Sequence, residues 1–118
     1  MQVTKVGNMY KVVRITGPHH NFLGLALSEE AVPSLTVERL QVGEEGGPAR
    51  TLDEHQLLTA VRRGIADANQ QLGTHFCVAT VQYVVTDTPD VAVYALLAHQ
   101  IVEAAWRETT QVVSAVRP

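Results

Sequence analysis

Residues 43–50, GEEGGPAR, divide this chain into two parts that follow different hydrophobic periods. The segment is polar and rich in Gly and Pro, which marks a loop. Before it lie short runs of β-branched and apolar residues; after it come mostly long helical patterns. A chain of that form folds as strands first and helices second, and this points to an α+β domain rather than to alternating β-α units.

The strand signals are individually short. QVTKV and MYKVVRIT flank Gly7-Asn8, a spacing and composition typical of a tight hairpin turn. FLGLALS at 22–28 and LTVERLQV at 35–42 continue the run, with Pro33 and Ser34 between them. In the second part, Thr51 and Glu54 have the spacing of a capping box and Gly73 supplies a stop, so the first helix is expected to fill the interval. Leu57, Val61, Ile65, Ala68 and Leu72 share one face of it, and Gly64 on the apolar side implies close approach to a sheet. HFCVATVQYVV at 75–85 reads as a central strand. Thr88, Pro89 and Asp90 then open a second helix, whose main buried stripe is Val91, Ala95, Ala98, Val102 and Trp106. Val93, Leu97 and Ala104 lie on nearly the opposite side. That second apolar set is either covered by the same chain or is a self-association surface. QVVSAV at 111–116 can form a last short strand.

These elements give one α+β domain over 1–118. Its sheet is expected to be single, mainly antiparallel and of four to five strands, with both helices packed on one face, in the order β-β-β-α-β-α. A chain of 118 residues supports one such core. The longest apolar run, VAVYALLA, is far too short to span a bilayer, and MQVTKVGNMY has no secretory h-region, so the expected location is cytoplasmic and no membrane partner is expected. Cys77 is the single cysteine, in keeping with a reducing compartment. The net charge of −3 argues against broad electrostatic binding to nucleic acid. Its distribution is uneven: Lys5, Lys11 and Arg14 are the charged residues of the first 28, and the next stretch is acidic.

In element order and in the character of residues 22–106 the chain resembles the fourth domain of elongation factor G, whose fold is shared with the second domain of a small-subunit ribosomal protein. The resembling pieces are FLGLALS, the first helix LDEHQLLTAVRRGIADANQQL, the strand VATVQYVVTD and the alanine-rich AVYALLAHQIVEAA. Where that family carries a His-Asp-Ser-Ser type segment, this chain reads TDTPDVAVY. The resemblance therefore implies the fold and carries over neither functional residues nor the role in translocation.

Three kinds of site are conceivable from the residues. The turn GPHHN makes His19, His20 and Asn21, with Arg14 nearby, a candidate anion- or ligand-binding tip; the plainer reading is a polar turn between two strands. Zinc ligation by His19, His20, His75 and Cys77 lacks any paired ligand spacing, so no metal and no cofactor is expected. Cys77 with His75, and His99 with Glu103, have the residue types of a nucleophile and base or of a base and its orienting carboxylate, yet read first as strand neighbours and as a helical surface pair. Neither a Walker loop nor a dinucleotide glycine motif occurs. The leading expectation is a non-catalytic domain acting through a protein partner or as a homo-oligomer. Next comes an RNA- or ribosome-associated module using Lys5, Lys11, Arg14 and the His19-His20 tip, and last a small hydrolytic or metal-dependent enzyme.

Overall fold

The computed structural model describes residues 3–16, 19–40, 52–85 and 91–116, with the side chains of Thr16, His19 and residues from 109 onward outside that description. Four strands precede the first helix: β1 (Val3–Val6), β2 (Met9–Thr16), β3 (His19–Ser28) and β4 (Thr36–Leu40). Helix α1 (Glu54–Leu72), strand β5 (Cys77–Val84) and helix α2 (Ala92–Val116) follow. The spatial order is β1-β2-β3-β5-β4. Only the β4–β5 pair is parallel, which requires the α1 crossover, and the other pairs are antiparallel. The α+β class and a five-stranded, mostly antiparallel sheet are thus established.

Local chemistry explains the boundaries. Gly7 takes φ 62 in the first hairpin, a left-handed conformation that a residue without Cβ adopts without strain. Gly73 closes α1 in the same region, and its N–H donates to the Asn69 carbonyl. The start of α1 differs from the capping box read from sequence. Asp53 is the cap, its Oδ1 accepting from the Gln56 N–H at 3.1 Å. Thr51 lies outside the described residues. Glu54 is drawn away to Arg39 of β4 and Tyr83 of β5, because two tertiary donors outcompete one local N–H.

One face of the sheet carries the core. Val12, Leu23, Leu25, Val81 and Tyr83 point to the same side and join Leu57, Val61, Ile65, Leu97, Ile101 and Val102 from the helices. Between β3 and β5 the register shifts at Ala26/Leu27, so that Leu27 pairs with Val78 and stays on that inner side. Helix α2 packs on β1, β2 and β3, and α1 lies beside it on the same face, against β5. Tyr94 of α2 reaches Asn21 of β3, whereas Ala95 abuts Gly64 of α1 so closely that a Cβ on Gly64 would sit 2.1 Å from the Ala95 carbonyl oxygen. Gly64 therefore serves a helix–helix approach, not the helix–sheet approach expected.

The packing of α2 corrects two further expectations. Val93 and Leu97 are buried and Ala104 is half-buried, so the second apolar set belongs to the interior and does not form a self-association surface. A helix apolar on two sides is here covered on two sides by its own chain. Residues 111–116 continue α2 as helix instead of forming a strand. The proposed cap of α2 at 88–90 lies outside the described residues.

Two similar polar clasps tie the edge strands to the helices. At one edge, the Lys5 ammonium meets Glu108 at 2.7 Å, Tyr10 donates to the same carboxylate at 2.9 Å, and Lys5 stands 5.2 Å from the Tyr10 ring centre. At the other, Arg39 grips Glu54 through two nitrogens and Tyr83 donates to it at 2.8 Å. The Arg39 guanidinium holds the Glu54 carboxyl below the usual carboxylate range against the opposing effect of burial, with a lesser contribution from the Tyr83 hydroxyl. Burial, then the bond to Glu54, pushes the Tyr83 hydroxyl up.

Candidate functional site: the outer face of the sheet

Antiparallel sheets with one covered face ordinarily alternate apolar and polar residues. This one does not. The side turned away from the helices presents Val6, Met9 and Ala26 along one cross-strand row, and Val13 beside Phe22 along another. Ile15 extends the second group opposite His20. Val6, Val13 and Ile15 are 56, 48 and 61% exposed. Large β-branched side chains left in water in adjoining positions mark an interaction surface more often than a solvated one.

A polar row runs between the apolar ones. Register aligns Thr4, Lys11, Gly24, Gln82 and Glu38 across the strands in the order β1-β2-β3-β5-β4. Gln82 donates from Nε2 to Glu38 at 2.6 Å. Its Oε1 is buried with no hydrogen-bond partner among the described residues and leans over Gly24, 2.9 Å from where a Cβ would stand. Lys11 and Glu38 carry the two formal charges of the described outer face, and neither has an ion-pair partner among the described residues.

The residues of the expected tip are dispersed. His19, His20 and Asn21 are not in a turn: β3 begins at His19, which pairs with Thr16, and Gly17 and Pro18 lie outside the described residues. The turn conformation on which convergence of the two histidines depended is therefore absent. His20 is exposed on the outer face, whereas Asn21 is 3% exposed on the inner face and donates to the Tyr94 hydroxyl at 3.3 Å. Arg14 pairs with Asn21 in register and so shares the inner side. No single surface gathers Arg14, His20 and Asn21.

The other combinations fare similarly. His75 and Cys77 stand at the far end of the sheet, where Cys77 pairs with Ser28, about 26 Å along β3 from His20. The Cys77 thiol donates a long 3.9 Å contact to the main-chain carbonyl of His75. His99 makes the expected helical pair, its Nδ1 at 2.8 Å from Glu103, while Nε2 lies 2.9 Å from Gln71 of α1. Both ring nitrogens are thus engaged, Nδ1 within α2 and Nε2 in joining α2 to α1. A groove of about 380 Å³ lies there, with Asp67, Gln71, His99, Gln100 and Glu103 on its walls. Among the described residues no three His, Cys, Asp or Glu side chains are grouped to hold a metal ion, and no helix is long and apolar enough to cross a membrane.

Sequence reading missed the outer face, although a signal was present. FLGLAL is apolar almost without alternation, as is VV at 12–13, and such runs mean apolar residues on both sides of a strand. No protein-family model, curated protein or solved structure matches the chain.

Proposed function

We propose that this chain is a non-catalytic protein-interaction domain that works through the outer face of its sheet, in a cytoplasmic setting. The observation that carries the reading is the exposure of Val13 and Ile15 at adjoining outer positions beside Phe22, with Val6 and Met9 across the polar row, on a sheet whose opposite side already has a core. Burying that set against another protein removes apolar area from water at about 25 cal/mol per Å². The catalytic alternative has less support, since the Cys77 thiol contacts main chain and the His99 ring is held by Glu103 of its own helix and Gln71 of α1.

The RNA reading also has less. The cations of the first hairpins do not share a face: Lys5 is held by Glu108 and Arg14 lies on the inner side, leaving Lys11 on the outer one. Among the described residues the outer face has one Phe, Tyr or Trp ring, that of Phe22, where a stacking platform for single strands uses several.

A photo-crosslinking residue at position 13, with one at exposed Arg62 on α1 as control, tests the reading in cells. A discrete protein adduct from position 13 and none from 62 is expected. Nuclease-sensitive adducts, or equal adducts from both positions, would refute it.

A further inference from the structure

The polar row on the outer face has a charge order that one chain cannot use. Lys11 on β2 and Glu38 on β4 are three strand spacings apart, about 14 Å, beyond reach of a direct ion pair. A second copy laid face to face changes this. With a two-fold axis parallel to the strands and passing between β3 and β5, each Lys11 faces Glu38 of the second copy, and the pairing occurs twice. An axis at right angles, along the row, sets Lys11 against Lys11 and Glu38 against Glu38 instead. Only the first arrangement is electrostatically complementary.

Resting on the interaction reading above, we infer that the occupant of the outer face is a second copy of this chain, packed sheet on sheet about an axis parallel to the strands, with reciprocal Lys11–Glu38 pairs. The apolar neighbours agree with this: exposed Val13 meets half-buried Leu40 of the second copy, which occupies the corresponding position on β4. The size is also adequate. Five strands about 4.8 Å apart, paired over roughly six residues, give about 500 Å² per copy. The total of roughly 1,000 Å² reaches the lower end of specific interfaces.

Sedimentation equilibrium on the full chain, with charge exchange, tests the arrangement. The wild type is expected to dimerise in the micromolar range, and Lys11→Glu and Glu38→Lys each to weaken the dimer by about tenfold or more. Mixing the two variants is expected to restore a mixed dimer, because each then offers the other opposite charges at both contacts. Circular dichroism of each variant establishes that it is folded. Failure of the mixture to associate, with both variants folded and the wild type dimeric, overturns the inference. A dimer indifferent to both charges but abolished by Ile15→Lys overturns the axis while leaving the interaction reading intact. A wild type that stays monomeric at about 1 mM overturns the second copy as occupant, and the adduct from position 13 then decides the broader reading separately.

Discussion

The two faces of the sheet are built from adjacent residues of the same strands and have opposite fates. Leu23 and Leu25 are fully buried against the helices, whereas Val13 and Ile15, one strand away on the reverse side, stand half in water. Both faces carry large apolar side chains, but α1 and α2 both pack on the inner side, α2 against β1, β2 and β3 and α1 against β5. Apolar side chains on the inner face are thus committed to folding, and equivalent ones on the outer face remain available to a partner.

That contrast is most readily broken by truncating one residue from each face. Leu23→Ala is expected to cost about 3 kcal/mol in chemical denaturation, from lost burial and an unfilled cavity. Ile15→Ala should cost less than about 0.5 kcal/mol under dilute conditions. Equal costs would mean that the outer face is covered within the single chain.

The inner side is also intolerant of added volume. Gly64→Ala places a methyl group 2.1 Å from the Ala95 carbonyl oxygen, so α1 and α2 must separate, with an expected loss of about 2–3 kcal/mol. An unchanged denaturation midpoint would mean that the helices are not in that contact.

A smaller effect is expected at the clasp that holds β4 and β5 to α1. Tyr83→Phe removes one donor to Glu54 while Arg39 remains, an expected loss of about 1 kcal/mol by the same measurement. Because the folded-state pKa of Glu54 is lowered, its contribution is present above the unfolded-state value of about 4.5 and is lost as pH falls through the lower, folded one. The stability gap between wild type and Glu54→Gln should therefore close on acidification below that pH. A gap independent of pH would remove the ion pair from the account. Smallest of all, Lys11→Glu should shift monomer stability by less than about 0.5 kcal/mol, its consequence being confined to association.

Much of the interior was legible from local pattern. The Gly7-Asn8 hairpin, the Gly73 stop and the apolar stripe of α1 each depend on residues a few positions apart. The misreadings have a common physical origin in contacts between distant residues. Glu54 abandons local capping for Tyr83, Asn21 is placed by a tyrosine 73 positions away, and Leu97 is buried because a whole sheet lies beneath it. The candidate site was the least legible part. Periodicity shows that Val13 and Ile15 lie on the opposite face from Val12, but which face the helices choose is decided by the packing of the entire chain.

The central claim, that the outer face is an interaction surface dispensable for folding, is tested most directly on one double variant. Val13→Lys with Ile15→Lys, compared with the wild type by sedimentation equilibrium, and by thermal unfolding at dilutions where both are monomeric, should abolish association and leave the midpoint within about 2 °C. A variant that associates as the wild type does, or that no longer folds, would contradict it.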